Sequence, residues 1–311
     1  MEKLLSLVVP VYNEEECILE FISQVRTELV TSSVTYELIF ADDGSNDNTV
    51  GLIRDEIEND SRIRLVELSY NHGKQAALTA AVTYAKGDYL LYMDPDLQDP
   101  PEEIARFISK IEEGYDLVFG VRESVEAGFV TAAFSKAFWL ILDVFTGLKL
   151  PRPLAVMRIF NREFANRFLS YKESNRFIEG IFMHIGMRQA TLKIKHRPRF
   201  AGISKYNFAR KLRLAKDAIL DYSELPLKLA TRVGIILVIT SLLAVLTLTI
   251  LRLFFIDFQL GWPSLICTLW FGFGINLLFL GVIGSYVGKI YSESKHRPLF
   301  STQRLTNIKQ S

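Results

Sequence analysis

An α/β fold is what this sequence predicts: a mostly parallel sheet, then interfacial amphipathic helices and a two-helix transmembrane hairpin. Two features predict it. Short apolar runs alternate with helically spaced amphipathic stretches up to about Phe119, and after Arg232 two long runs carry no charge.

Leu4–Val9, Tyr36–Ala41, Arg64–Leu68, Tyr89–Met93 and Leu117–Phe119 read as strands, each bounded by turn residues or charge. Between them, Glu14–Val30, Asn48–Glu58, Lys74–Ala85 and Pro101–Glu113 place apolar residues at helical spacing. Such alternation predicts parallel strands with ligands at their carboxyl ends. Ala127–Gly147 is aromatic-rich but interrupted by Lys136 and Asp143. It reads as a helix packed on the domain or one dipping into a membrane interface. In Tyr206–Lys228, Phe208, Leu212, Ala215 and Ile219 share a helical face among Arg210, Lys211, Arg213 and Lys216, which predicts an interfacial helix.

Val233–Leu251 is 19 residues without a charge, about 28 Å of helix and enough to cross hydrocarbon. A link containing Arg252 and Asp257 leads to the uncharged run Phe258–Val287, where Gly272, Gly274, Gly281 and Gly284 suit close helix packing. Basic residues flank the pair: Lys211, Arg213, Lys216, Lys228 and Arg232 before it, Lys289, Lys295, Arg297 and Arg304 after it. The positive-inside bias then places both termini and the N-terminal domain in the cytoplasm, a multi-pass arrangement in the cytoplasmic membrane. The expected division is 1–205, 206–230, 231–290 and a cytoplasmic tail 291–311.

Composition excludes several classes. A formal charge of +1 and 23% charged residues give no basic excess for a nucleic-acid partner. Cys17 and Cys267 are too few for a disulfide framework or zinc site and read as reduced thiols. Leu4–Val9 is too short for a signal-peptide core. His72, His184, His196 and His296 have no catalytic or metal spacing.

The chemistry concentrates in Asp94-Pro95-Asp96-Leu97-Gln98-Asp99-Pro100-Pro101, directly after a strand. Helix-start chemistry accounts for part of it: Asp99 as a cap, Pro100 at the first position, and Glu102 and Glu103 at the positive end. It does not account for Asp94 and Asp96. Two carboxylates at the end of a parallel strand repel unless a hard cation joins them, so Mg2+ or Mn2+ is expected, with Gln98 as a further oxygen donor. A second pair, Asp42 and Asp43, ends another strand. Turn chemistry explains Ser45 to Asp47, leaving those carboxylates to accept hydrogen bonds from a nucleobase or ribose. Pro10, Tyr12 and Glu14 close the first strand at the same edge.

Val8–Glu15, Asp42–Ser45, Asn71–Lys74, Gly87–Asp88, Asp94–Pro101 and Arg199–Tyr206, with the paired C-terminal runs, resemble glycosyltransferase family 2. Within it they resemble the dolichyl- and undecaprenyl-phosphate sugar transferases of the bactoprenol glucosyltransferase type. The resemblance covers most of the chain and implies a GT-A nucleotide-sugar domain. It implies that Pro10, Tyr12, Glu14, Ala41, Asp43, Asp94 and Pro95 hold the nucleotide, and that Asp94, Asp96 and Gln98 hold the metal and diphosphate. Arg122, Arg199 and Lys205 would face the acceptor phosphate, with Asp96, Arg122 and Lys205 carrying catalysis. Two departures stand out. Glu123 and Glu126 follow Arg122 where relatives carry further basic residues. Val156–Phe160 lacks an acid that many relatives have, and Arg152 and Arg158 are the candidates to compensate.

The expected reaction is hexosyl transfer from a nucleotide sugar, a UDP-sugar by resemblance, to polyprenyl phosphate. It proceeds with inversion and yields a lipid-linked sugar for cell-envelope glycan modification. A phosphate monoester is already anionic near neutral pH and needs no general base, whereas a hydroxyl acceptor does. A hydroxyl-directed transferase, with Asp99 or Glu179 as base, and a non-catalytic membrane scaffold are the alternatives. The partners expected are the donor, the lipid phosphate and the bilayer; a homo-oligomer is left open.

Overall fold

The computed structural model describes residues 3–32, 34–123, 151–174, 176–198, 200, 223, 225–254 and 261–308. The expected helix Ala127–Gly147, most of Tyr206–Lys228, and the residues Arg199 and Lys205 lie outside the described residues.

An eight-stranded mixed sheet organises the N-terminal part, in the order β7-β5-β6-β4-β1-β2-β3-β8. Its strands are β1 Leu5–Val11, β2 Tyr36–Asp42, β3 Ile63–Leu68, β4 Tyr89–Tyr92, β5 Leu117–Arg122, β6 Leu154–Asn161, β7 Gln189–Ile194 and β8 Thr302–Thr306. β1 pairs in parallel with β2 and β4, β2 with β3, and β5 with β7, while β6 and β8 run antiparallel to their neighbours. Every residue of β1 and β2 is buried, as expected for strands covered on both faces. Helices α1 Ile18–Thr31, α2 Thr49–Asn59 and α4 Ile104–Glu112, together with α3 Lys74–Tyr84, α5 Arg162–Ser170 and α6 Ile178–Ile185, provide that cover. Leu5, Leu7, Val9 and Val11 pack on one side with Phe21 and Phe107, while Val8 packs on the other with Leu78 and Phe182.

The first five strands match the expected ones closely. β1 continues through Pro10, which costs no ladder bond because the β4 pairing stops at Val8 opposite Tyr92. α1 starts four residues later than expected. Asn13 takes a positive φ of 51°, and the Glu14 N–H donates to Thr49 Oγ1 at 2.8 Å, so this stretch serves the neighbouring loop first. The helix expected at Pro101 opens as a 3-10 turn, Pro101–Glu103, preceded by Pro100 in extended conformation. Asp99 does not cap it. The segment expected as a tail supplies β8, paired with β3.

The chain divides into two units, one holding the sheet with β8 included and the other holding α7 Leu225–Phe254 and α8 Trp262–Ser294. In the second unit the Tyr286 hydroxyl donates to the Ser223 carbonyl at 2.6 Å. Among the described residues, Thr268–Ser294 is long and apolar enough to cross a membrane.

Candidate active site at the carboxyl edge of the sheet

The parallel strands β1, β2 and β4 end together, and their following loops form one edge. Pro10 and Ala41 are register partners there, with Val11 beside Asp42. Asn13 N–H donates to Ser45 Oγ at 2.9 Å, and Asn46 N–H donates to Asn13 Oδ1 at 2.8 Å. These bonds brace the loop bearing Tyr12 and Glu14 against the loop after β2. Asp42 folds back on its own turn, accepting from the N–H groups of Gly44 and Ser45. Gly44 is required here: φ is 74°, and a Cβ would sit 2.9 Å from the Tyr70 carbonyl carbon.

The Asp43 carboxylate is buried and accepts from His72 N–H at 2.7 Å and Gly73 N–H at 2.9 Å. It therefore anchors the loop that opens α3. Burial raises its pKa to about 6, the two backbone donors opposing that rise. Burial likewise raises Asp42.

α3 begins with Lys74, whose Nζ lies 2.5 Å from Asp94 Oδ2 and faces the Tyr92 ring. The other oxygen, Asp94 Oδ1, is buried without a hydrogen-bond partner. Pro95 is buried. Asp96 is only 4% exposed, and accepts the Gln98 N–H at 3.1 Å, so it braces the loop as well as ending it. Among the described residues no group of three or more His, Cys, Asp or Glu side chains gathers. The donor set still fits a hard divalent cation. Even with Lys74 on Oδ2, Asp94 Oδ1 is a buried carboxylate oxygen left to coordinate, and Mg2+ commonly takes one or two carboxylates plus substrate phosphates.

Asp99 meets β6 rather than a helix. Its Oδ2 accepts from Val156 N–H and Met157 N–H, both at 2.8 Å. This local cap signal yielded to a tertiary partner: two N–H groups near the start of β6 take the carboxylate instead. Its Oδ1 faces Arg122 Nε at 3.9 Å and His196 Nδ1 at 3.8 Å. Arg122 ends β5, placed by its N–H donating to the Pro153 carbonyl at 2.8 Å. Two residues after β7 bond the acidic loop: Arg197 N–H donates to the Gln98 carbonyl at 2.9 Å, and Phe200 N–H to the Asp96 carbonyl at 3.2 Å.

Lys74 and His196 join the edge without having been singled out for it, and Arg158, named only beside the departure from the family pattern, joins them. Arg158, 2% exposed, lies among the rings of Tyr92, Phe119 and Phe182. It donates from Nε to the Val156 carbonyl and pairs with Glu179 at 3.3 Å. The signal for Lys74 was its place in Asn71–Lys74, the stretch that links Asp43 to Asp94. Nothing local marked His196.

The family model described as glycosyl transferase family 2 matches residues 6–173. The uncharacterized glycosyltransferase YkcC of Bacillus subtilis is 36% identical, over 97% of this chain and 94% of its own. The bactoprenol glucosyl transferase of Shigella phage SfV is 33% identical, over 95% and 97%. The undecaprenyl-phosphate 4-deoxy-4-formamido-L-arabinose transferase of Proteus mirabilis is 30% identical, over 98% and 94%. The fold is that of glucosyl-3-phosphoglycerate synthase from Mycobacterium tuberculosis, solved with Mn2+, uridine diphosphate and phosphoglyceric acid. The two align with a TM-score of 0.50 and 22% identity, over 70% of this chain and 76% of that one.

Proposed function

The chain belongs to glycosyl transferase family 2, and from that membership we propose the following reaction. It transfers a hexosyl group, glucose-like or related, from a UDP-sugar to undecaprenyl phosphate with inversion. The product is a lipid-linked sugar for modifying cell-envelope glycans. The names borne by the phage and Proteus mirabilis relatives support the acceptor.

The observation that carries the reading is that both carboxylates offered as a general base are already engaged. Asp99 holds β6 through Oδ2 and turns Oδ1 to Arg122 and His196, and Glu179 pairs with Arg158. A hydroxyl acceptor needs such a base and a phosphate monoester does not. A phosphate oxygen of the acceptor forms its bond to the anomeric carbon as the bond from that carbon to the donor diphosphate breaks. The nucleoside diphosphate leaves with the electron pair.

Pro10, Tyr12, Glu14, Ala41, Asp43, Asp94 and Pro95 hold the nucleotide in this reading. Asp94, Asp96 and Gln98 would hold Mg2+ or Mn2+, which when bound supplies positive charge for the departing diphosphate. Arg122, Arg199 and Lys205 receive the acceptor phosphate, and their charge offsets the repulsion between two anionic substrates.

We further propose that α7 and α8 both cross the cytoplasmic membrane, with catalytic domain and termini in the cytoplasm. β7 precedes α7, β8 follows α8, and both strands belong to one sheet. The chain between them must therefore cross an even number of times, and one apolar helix alone would leave β8 on the wrong side. The basic flanks orient the pair.

The test is transfer by the purified full chain in vesicles containing undecaprenyl phosphate or undecaprenol, offered a panel of nucleotide sugars with Mg2+ or Mn2+. Product is expected with the phosphate alone. Product with undecaprenol but not with the phosphate overturns the acceptor.

A further inference from the structure

Asp99 stands where four parts of the fold meet. It follows the loop of Asp94 and Asp96, binds the start of β6, and faces both the end of β5 and the stretch after β7. It is 5% exposed, and only one of its oxygens is satisfied. Asp99 Oδ1, Arg122 Nε and His196 Nδ1 are each buried, and each lacks a hydrogen-bond partner. The two nitrogens lie 3.9 and 3.8 Å from that carboxylate oxygen, just beyond hydrogen-bonding range. An unmade hydrogen bond at a buried charge is costly, so a small inward movement of Arg122 would be favoured.

The geometry of the guanidinium gives this cluster a direction. Arg122 turns its Nε toward Asp99, which leaves the two terminal nitrogens as the edge available for a bidentate phosphate contact. We propose that Asp99 is a positioning residue that aims Arg122 at the acceptor phosphate and couples it to the metal-binding loop. His196 shares the carboxylate and carries the neighbouring stretch. Arg197 strengthens that attachment through its pair with Glu102 at 2.7 Å. The proposal rests on the reading of undecaprenyl phosphate as acceptor.

Asp99→Asn separates the two duties of this side chain. Its amide oxygen still accepts from Val156 N–H and Met157 N–H, while its amide nitrogen now presents a donor to Arg122 and His196. With the full chain in vesicles of undecaprenyl phosphate, the acceptor KM should rise about tenfold or more. UDP-sugar affinity by calorimetry and the thermal midpoint should stay as in the wild type. Arg122→Lys keeps the charge but removes Nε, and should give the same acceptor-specific defect. The double variant should be no worse than the poorer single one, since residues acting through one contact are not additive.

An unchanged acceptor KM in Asp99→Asn, a loss of donor affinity instead, or full additivity with Arg122→Lys would each overturn the assignment. If Asp99→Asn does not fold, Arg122→Lys decides alone, and an unchanged acceptor KM there overturns it. A wild type inactive on undecaprenyl phosphate refutes the acceptor reading itself. An active wild type with an unperturbed Asp99→Asn refutes only the role of Asp99.

Discussion

Lys74 Nζ, at the first residue of α3, lies 2.5 Å from Asp94 Oδ2, beyond the end of β4. A cation from the protein thus already occupies one side of the carboxylate expected to bind a metal. Coulombic competition at such short range is strong where water is partly excluded.

Removing the competitor should change metal binding before any substrate is present. In Lys74→Met, Mn2+ should bind the nucleotide-free protein about tenfold more tightly than in wild type. Titration calorimetry measures this directly, and equal or weaker Mn2+ binding would show that Lys74 and the metal do not share Asp94.

Asp96 needs a gentler substitution than alanine, because its carboxylate also accepts the Gln98 N–H. Asp96→Asn retains an acceptor for that bond and removes the negative charge. Transfer should fall by more than about a hundredfold, the scale of losing a contact to developing charge, with the thermal midpoint little changed. Turnover that survives at saturating Mg2+ or Mn2+ would remove Asp96 from the metal site.

The raised pKa of Asp43, about 6, against about 3.9 for an unfolded Asp, fixes the sign of a pH effect. Folding favours the neutral form, so the stabilisation from this group is complete below about pH 4 and lost as pH rises through 6. Asp43→Asn cannot titrate. Its stability relative to wild type should therefore increase between pH 5 and pH 7, as read by urea unfolding at each pH. A constant difference would mean that burial does not control this carboxylate.

Topology can be read by labelling single cysteines in a Cys17→Ser, Cys267→Ser background. Gln259→Cys should react with an impermeant thiol reagent added to intact cells, and Ser301→Cys should not. Labelling at 301 from outside would reverse the proposed orientation, and would conflict with the Ser301 carbonyl accepting the Ser69 N–H at 2.9 Å.

The half of the sheet built by β1 to β4 was legible because its strands are apolar, largely buried and bounded by turn chemistry. The acidic pairs stood out for the same reason: nothing local needed Asp94 or Asp43. β8 was not legible. Thr302–Thr306 is a five-residue strand with Leu305 as its one large apolar side chain, and its partner β3 is more than two hundred residues away. Asp99 was misread for a related reason. Asp-Pro-Pro-Glu is strong helix-start chemistry, and sequence spacing could not reveal that Val156 and Met157 present their N–H groups to the same side chain. Arg158 stood beside the departure from the family pattern, but its orientation was not legible; its Tyr92 neighbour is set by antiparallel pairing of β4 with β6, which only the topology supplies.

The antiparallel pairing of β8 on β3 bears on the timing of biosynthesis. The ribosome makes β3 early and β8 only after both long helices, so β3 waits as an open sheet edge while the apolar segments emerge. Such an edge is a template for wrong pairing with other chains, and domains formed early in synthesis are exposed to that hazard until their last element arrives. Synthesis of the helices and completion of the sheet are thereby ordered events. A delay in the first prolongs the interval in which the nascent catalytic domain can aggregate.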